Sequence, residues 1–288
     1  DTSLEYEWEI LVNNLIVHKT LAFDYLDPSL DKFLLPNIWM PPLYAYYLYF
    51  FSFFNLEEQN YLRLILSSQI ILASLSVIIF YKINKNFFSK KISFFSSSLF
   101  SLFPLNLYIC SQISSVTLQV FFTLLFFYFF FKFIRKQNLG SMFALAFMGG
   151  LLLLLRGEFI AILLISFFYL FIFFKIKIKK ILLITLITLI TISPYLIRNV
   201  SVFETFALTK SFGFNLWKGN NSNATIEGGG LFDEDLRKKI NDIPKDRFYG
   251  INFDKIFLDR AIKNITDETL KYLNLFFKKA TSFLFIDI

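Results

Sequence analysis

Carboxylates crowd the start of the sequence, where four acids fall within nine residues: Asp1, Glu5, Glu7 and Glu9. At the edge of a low-dielectric layer the charged form of a carboxylate is disfavoured, so the group readily accepts a proton from a reacting hydroxyl. A solvated face of a surface helix explains the same cluster equally well. The candidate catalytic residues are Asp1, Glu5 and Glu7.

Two arginines stand at the ends of apolar runs. Arg156 follows a run of leucines and precedes Glu158, and Arg198 precedes Asn199 after the last long apolar run. A guanidinium at a membrane face is costly unless it is paired or used, and its planar fork suits a phosphate. A structural ion pair with Glu158 explains the position of Arg156 as well as phosphate binding does. A role as an interfacial anchor explains the position of Arg198 equally well. Both are candidate substrate-binding residues.

Several kinds of chemistry are excluded by what the sequence lacks. It has no glycine-rich phosphate loop, no CxxC or HExxH motif, one histidine and one cysteine. Nucleotide-fold, zinc-protease and histidine-triad mechanisms are therefore not expected. No metal-ligand residues and no cofactor are predicted with certainty, although a divalent metal at the acidic stretch stays open. The net charge of +7 does not form a soluble basic patch, so nucleic acid is not an expected partner.

The elements that must position these residues are membrane helices. The 288 residues are 56% hydrophobic and include 41 Phe, with a mean hydropathy of +0.56, which is too apolar for a water-soluble core under polar surface. Apolar runs of about 15 to 22 residues between short breaks predict stacked transmembrane helices. We predict an all-α integral membrane protein with about six spans, at residues 62–81, 92–109, 115–131, 141–155, 158–174 and 181–197.

The breaks between these spans alternate in charge. The first, third and fifth contain lysines and arginines without an acid, whereas the second is uncharged and the fourth holds only Arg156 and Glu158. Basic residues that flank spans are retained in the cytoplasm. Residues before 60 and after 197 are therefore predicted to be extracytoplasmic, and the seven acids against two lysines in residues 1–41 fit that orientation.

Three regions follow from this pattern. Residues 1–60 are predicted to be an extracytoplasmic acidic loop with two interfacial helices. The first, over residues 1–17, has an apolar stripe formed by Leu4, Trp8, Leu11 and Leu15. The second, over residues 42–54, begins at a proline pair, and its tyrosines suit the headgroup layer, where a ring is half buried and its hydroxyl is wet: Tyr44, Tyr46, Tyr47 and Tyr49. Residues 61–197 form the transmembrane bundle. Residues 198–288 form an extracytoplasmic loop region whose tail is either amphipathic or a truncated span.

The order of these features resembles the GT-C class of polytopic membrane glycosyltransferases, specifically the bacterial, glycosyltransferase family 39-like relatives of dolichyl-phosphate-mannose protein mannosyltransferases and aminoarabinose transferases. The resemblance covers residues 1 to about 225. The segments that carry it are EYEWEILVNNL, MPPLYAYYLYFF, SLFPLNLYICSQ, LLLLLRGEF and SPYLIRNVSVFETF followed by GFNLWKGNN.

The resemblance implies roles for particular residues. The family's acid before a tyrosine matches Asp1 ahead of Tyr6 best, but the spacing is one residue longer than usual, so Glu5 or Glu7 could hold the role. Arg156 matches the arginine after the leucine-rich span. The resemblance also implies that the interfacial helices and outer loops form the active cavity. Asn215, Gly219 and Asn220 match the family's outer-loop pattern, and Tyr44 lies in the second interfacial helix, so all four are further substrate-binding candidates. The family's first transmembrane helix has no counterpart ahead of Asp1, so we expect the sequence to lack it.

The expected function is transfer of a hexose or pentose from a polyprenyl-phosphate-linked donor to an acceptor, with a first-loop carboxylate as general base. The acceptor is a protein, lipid or glycan, and membrane lipids are further partners. The expected location is a bacterial inner (plasma) membrane, with the active site facing the periplasm or exterior. Three alternatives stay open: a lipid or solute transporter or flippase, a surface polysaccharide polymerase or ligase, and a non-catalytic scaffold.

Overall fold

The computed structural model describes residues 4, 6–25, 33–230, 232–243 and 250–284. The described ranges contain thirteen helices and two strands, divided between two compact units. Unit 1 comprises Asp1–Ala22 and Pro41–Ser201, and unit 2 comprises Phe23–Met40 and Val202–Ile288. The predicted helical membrane protein is confirmed, whereas the small two-stranded sheet was not predicted.

Unit 1 is built from nine helices, in which α6 packs against α3 and α7, and α2 packs against α1, α3 and α7. Helix α2 begins where the sequence predicts, because a proline at the first helical position has a suitable φ and needs no hydrogen-bonded N–H. The helices are α1 Tyr6–His18, α2 Pro42–Ser52, α3 Glu58–Asn84, α4 Lys90–Leu102, α5 Pro104–Ser111, α6 Val116–Lys136, α7 Leu139–Leu155, α8 Phe159–Ile172 and α9 Ile178–Phe203.

Each of the six predicted spans falls on helix, but fewer are long enough to cross a bilayer. Helices α3, α6 and α9 have the length and composition of a span, and α4 with α5 adds a fourth if the bent pair counts as one. Helices α7 and α8 are apolar but have 17 and 14 residues, so α8 is about 21 Å long against a hydrocarbon core of about 30 Å. The number of spans therefore stays a prediction.

The second predicted span is not one straight helix. Helices α4 and α5 meet at a bend of 51°, where Phe103 has the extended backbone at φ −64° and ψ 122°. Pro104 follows it, and a proline pushes the preceding residue out of the helical conformation. Hydropathy could not indicate this break, because the residues on both sides of it are equally apolar.

Hydroxyl groups inside unit 1 are satisfied largely by their own helices. Ser76, Ser97 and Thr185 each donate to the carbonyl four residues earlier, at 2.8, 2.8 and 3.0 Å. Gln69 is different, because its fully buried side chain donates to the carbonyls of Gln112 and Ser114 at 3.0 and 3.2 Å. The amide nitrogen of Gln69 therefore ties α3 to the connection between α5 and α6.

Unit 2 has an aromatic core. Helix α10 packs against α12, and α12 also contacts α11 and α13. Trp217 is 1% exposed and its ring lies 5.1 Å from Phe257 and 5.2 Å from Phe232. The elements are β1 Ala22–Tyr25 paired with β2 Phe33–Pro36, and α10 Phe212–Gly219, α11 Glu234–Asn241, α12 Ile251–Asp267 and α13 Thr269–Leu284.

Candidate functional site

The first two helices of unit 1 form a packed pair. Three members of the predicted apolar stripe, Trp8, Leu11 and Leu15, are buried, whereas Leu4 lies ahead of α1 and is half-buried. Trp8 meets Tyr44 of α2 edge to face, with ring centroids 4.9 Å apart. Tyr44 is fully buried, so the expectation that it sits half-wet in the headgroup layer is wrong. In this structure Tyr44 packs the two helices together, and its role in binding substrate stays a prediction.

Polar contacts fix the pair in place. Lys19, at the end of α1, donates to the Ile16 carbonyl at 3.0 Å and to the Tyr49 hydroxyl of α2 at 3.3 Å. The Tyr47 hydroxyl shares a short hydrogen bond with Ser68 of α3. Burial raises the pKa of Tyr47, and the bond to Ser68 offsets part of that rise. The α1–α2 pair is thus attached to a candidate span at a defined position.

Arg198 lies near the end of α9 and reaches back to the start of the chain. Its Nη2 donates to the Leu21 carbonyl at 3.0 Å and its Nη1 to the Asn199 side chain at 2.9 Å. The guanidinium also lies over the Tyr195 ring, 5.8 Å from its centroid. Tyr46 of α2 is within electrostatic range of it. Arg198 therefore joins α9 to the segment that leaves α1.

The helix that carries Arg198 contains a proline one turn earlier. Pro194 cannot donate to the carbonyl of Ile190, and the Ser193 hydroxyl donates to that carbonyl instead, at 2.8 Å. A nearby hydroxyl is a common way to satisfy a backbone group freed by proline in a membrane helix. The helix therefore continues past Pro194 and places Asn199, which is fully buried, beside Arg198.

Arg156 ends α7 in an extended conformation, and its N–H donates to Leu152 at 2.8 Å. Its Nη1 lies 3.9 Å from the Glu158 carboxylate, and both side chains are exposed. An exposed ion pair at this distance contributes about 1 kcal/mol or less. Pairing with Glu158 is thus present in the structure, and a phosphate-binding role for Arg156 stays a prediction.

The acidic stretch is only partly described. Glu7 lies in the first turn of α1 and is exposed, as is Glu9. Asp1 and Glu5 lie outside the described residues. Among the residues that the structure describes, no three His, Cys, Asp or Glu side chains are grouped closely enough to hold a metal ion. The catalytic role of Asp1, Glu5 or Glu7 is therefore untested.

The remaining candidates lie in unit 2, at α10 and the turn that follows it. Asn215 is exposed on α10. The Gly219 carbonyl accepts from Lys279 Nζ at 2.6 Å, and the Asn220 carbonyl accepts from Asn264 Nδ2 at 3.1 Å. Asn221, just beyond them, is buried and bonds the Gly229 carbonyl at 2.7 Å. Hydrogen bonds from α12 and α13 and from Asn221 therefore fix the turn. The glycines and asparagines of the sequence predict a turn but not these partners.

Sequence reasoning missed two partners at the end of α9. Tyr195 under Arg198 and the carbonyl of Leu21 were not singled out. Tyr195 lies three residues before Arg198, a spacing that puts two side chains on the same face of a helix, so that signal was present. Leu21 lies 177 positions from Arg198 in the sequence, and no local pattern indicates that its carbonyl contacts the arginine.

The comparisons with known proteins agree with the sequence resemblance. Residues 39–197 match the model of the dolichyl-phosphate-mannose-protein mannosyltransferase family. No curated protein and no solved structure matches the chain. The match spans more than half of the 288 residues and includes α2 through most of α9. The chain therefore belongs to the dolichyl-phosphate-mannose-protein mannosyltransferase family of membrane glycosyltransferases.

Proposed function

We propose that the protein transfers a sugar from a polyprenyl-phosphate donor to an acceptor hydroxyl at the extracytoplasmic face of the membrane. The acceptor oxygen attacks the anomeric carbon, and the bond from that carbon to the phosphate oxygen breaks. The lipid phosphate leaves with the bonding electrons, and the acceptor proton passes to a carboxylate of the first outer segment: Asp1, Glu5 or Glu7. Family membership supports the class of reaction.

The observation that carries the proposal is the placement of Arg198. A lipid phosphate sits at headgroup depth while its tail lies in the bilayer, so its ligand must lie where a span ends. Arg198 lies near the end of α9, and its guanidinium is oriented by the Leu21 carbonyl and the Asn199 amide. The planar fork of a guanidinium suits phosphate oxygens.

Loop charge supports the proposed side of the membrane. The residues of the basic breaks lie at or near helix ends and in the connections between them, at the α3–α4, α6–α7 and α8–α9 junctions. Cytoplasmic retention of basic loops would leave the α1–α2 pair and the residues after α9 on the opposite side. We infer a bacterial plasma membrane, with the site facing the periplasm or exterior.

The transporter alternative has less support. A transport path needs polar or charged groups that face a cavity near the middle of the bilayer. Several serine and threonine hydroxyls of the described spans bond carbonyls of their own helices, as Ser74, Ser76 and Thr185 do. A hydroxyl held in this way has its donor occupied by the backbone.

The test is sugar transfer in membranes that contain the protein, supplied with radiolabelled polyprenyl-phosphate sugars. We expect Arg198→Ala to lower transfer about 10- to 100-fold, because a hydrogen bond to a charged group contributes about 1.5–3 kcal/mol. Arg198→Lys should recover little, since a point charge cannot keep both the Leu21 and the Asn199 contacts. Arg63→Ala is the control, because Arg63 is an exposed arginine of α3.

The base is tested with Asp1→Asn, Glu5→Gln and Glu7→Gln. We expect one of the three to lower transfer about 10²- to 10⁴-fold while membrane yield stays unchanged. Unchanged transfer in all three would reject the acidic stretch as the source of the base. A topology reporter after Phe206 should read as extracytoplasmic and one at Lys90 as cytoplasmic, and the reverse result would reject the proposed side.

A further inference from the structure

A cavity of about 210 Å³ lies inside unit 1, between α3, the bent α4–α5 pair and α6. Its wall includes Phe100 of α4 and Ile109 of α5, which stand on opposite sides of the bend before Pro104. Val77 of α3 and Val120 of α6 also line it. The cavity therefore lies at the bend that the proline introduces.

The bend is satisfied by hydrogen bonds of its own. Pro104 has no N–H to donate to the carbonyl of Phe100, and Asn106 Nδ2 donates to that carbonyl instead, at 2.8 Å. The N–H of Phe103 donates to it as well, at 3.4 Å. A carbonyl freed by proline thus has partners within the bent pair, as apolar surroundings require. The bend, and the cavity beside it, are stable features of unit 1.

The lining of the cavity suits hydrocarbon. None of its thirteen residues, all of them described, is charged, and most of the lining atoms are apolar. Six of the side chains are polar, and each donates to a backbone carbonyl: Ser74, Ser76, Ser101, Asn106, Cys110 and Thr117. A phosphate finds no cation here, and a buried water needs two to four polar partners. The cavity therefore favours an apolar ligand.

The cavity lies at hydrocarbon depth. Helix α3 has the length and hydropathy of a span, and no charged residue occurs between Arg63 and Lys82. The lining residues of α3 run from Ile70 to Val77, so at about 1.5 Å per residue they begin about 10 Å from Arg63 and end about 8 Å from Lys82.

The cavity opens on the outer surface of unit 1. Ile70 of α3 and Leu107 of α5 both line it, and each is 51% exposed. In a bilayer the surface beside a span at this depth faces lipid chains. The mouth at Ile70 and Leu107 therefore gives access from the membrane and not from water.

The volume of the cavity is that of part of a lipid chain. A dry apolar cavity of about 150 Å³ holds one benzene ring of six carbons. The 210 Å³ at the bend therefore has room for about eight carbons in the same proportion. A lipid chain is longer than this, so the remainder of a bound chain lies outside the mouth.

We propose that the cavity at the α4–α5 bend binds a segment of the hydrocarbon chain of a membrane lipid, which enters from the bilayer past Ile70 and Leu107. The ligand chemistry is a single apolar chain, which both the acyl chain of a phospholipid and the isoprenoid chain of a polyprenyl phosphate supply. The site rests on α3 and α6 as spans and is independent of sugar transfer. The bound segment supplies the van der Waals contacts that the lining of an empty cavity lacks.

The test is photo-cross-linking in nanodiscs with two probes that carry a diazirine in the hydrocarbon chain, a phosphatidylcholine and a polyprenyl phosphate. Mass spectrometry of the digested protein locates the attached probe. We expect cross-links at Ala73 and Leu107 to be about tenfold more frequent than at Ile165, which is 69% exposed on α8, because each buried methylene favours the bound chain. An excess from either probe supports the proposal and identifies the source of the chain. No excess from either probe overturns it.

Two variants then close the cavity. Ala73→Phe places a ring in it, and Leu107→Trp narrows its mouth at an exposed position that tolerates a larger side chain if Ala73→Phe does not fold. Each should lower cross-linking to the lining of α3 and α5 about tenfold, because a packed interior leaves no volume for the probe. Ala161→Phe, at an exposed alanine of α8, is the matched control and should leave it unchanged. Cross-linking that persists in the folded variants would overturn the proposal.

The one cysteine of the sequence tests two other occupants, because Cys110 lines the cavity. A charged methanethiosulfonate reacts with a thiolate in water, whereas a thiol in apolar surroundings is inert. We expect Cys110 to react at least about tenfold more slowly than Glu234→Cys, an exposed position of α11, placed in a Cys110→Ser background. Rapid modification of Cys110 would mean that water fills the cavity, and a rapid disulfide between the Cys110 residues of two copies would mean that a second chain covers it. Either result would overturn the proposal.

Discussion

Unit 1 and unit 2 bury different kinds of side chain. Unit 1 exposes large apolar residues along its spans, such as Ile190 of α9, and buries polar ones such as Gln69 and Thr188. Unit 2 buries an aromatic cluster around Trp217 and carries ion pairs on its surface, such as Arg260 with Asp233 at 2.6 Å. The comparison teaches that one chain has surfaces suited to two solvents. The exposed side chains of unit 1 suit contact with hydrocarbon, and most of those of unit 2 suit contact with water.

The largest effect should come from the aromatic core of unit 2. Trp217→Ala should destabilise unit 2 by about 3–5 kcal/mol, the usual loss for a buried aromatic side chain, because its ring contacts Phe232 and Phe257. Pulse proteolysis in urea would measure the shift in the unfolding midpoint. Phe212→Ala, at an exposed aromatic of the same helix, is the control. Equal midpoints for both variants would mean that burial is not what stabilises this unit.

The next test applies one substitution to the exposed surface of each unit. Ile190→Lys should raise the apparent insertion free energy of α9 by about 3 kcal/mol, since a lysine at the centre of a span is that unfavourable. Ile226→Lys, at a similarly exposed isoleucine of unit 2, should change stability by about 0.5 kcal/mol or less. Membrane-extraction yield and an insertion assay give the two values. Similar effects at Ile190 and Ile226 would mean that the exposed surfaces of the two units do not suit different solvents.

A smaller effect is expected where two helices of unit 1 cross closely. A Cβ on Gly150 of α7 would lie 2.5 Å from the Thr191 Cβ of α9, whereas a Cβ on Gly140 would meet nothing within 4 Å. Gly150→Ala should therefore destabilise the helix pair by about 1–3 kcal/mol. Gly140→Ala should be neutral or slightly stabilising, because alanine favours helix. Thermal unfolding in detergent separates them, and equal midpoints would mean that α7 and α9 are not closely packed here.

Much of unit 1 could be predicted from the sequence because its signals are local. The stripe of Trp8, Leu11 and Leu15 predicted the buried face of α1, and the proline pair predicted the start of α2. The basic breaks coincide with helix ends. The bend before Pro104 was missed because hydropathy averages over it, although the proline itself was a local signal.

The candidate site could be predicted only in part, because its contacts are long-range. Arg198 was identified from its type and place, but its bond to the Leu21 carbonyl joins positions 177 apart. The burial of Tyr44 depends on Trp8 from another helix. The pairing of β1 with β2 was missed because each strand has four residues, too few to show a period. The three predicted regions, residues 1–60, 61–197 and 198–288, stay a prediction.

The smallest effect concerns a single hydroxyl inside unit 1. Thr188 donates both to Ile184 of its own helix, at 3.0 Å, and to Ala146 of α7, at 3.1 Å. Thr188→Val should lower stability by about 0.6 kcal/mol, the average for a hydrogen bond between helices in a membrane protein. Thr185 bonds only its own-helix carbonyl in this way, so Thr185→Val should cost less.

The variants Thr188→Val and Thr185→Val sharpen the comparison of the two units. They separate the stabilisation from a hydrogen bond between two helices from that of a hydrogen bond within one helix. Steric trapping or unfolding in mixed micelles can resolve differences of this size when the two variants are measured side by side. If Thr185→Val were the more destabilising, the polar interior of unit 1 would serve to satisfy the backbone of each helix. If Thr188→Val cost several times the expected value, polar bonds between α7 and α9 would be as important to unit 1 as the aromatic cluster is to unit 2.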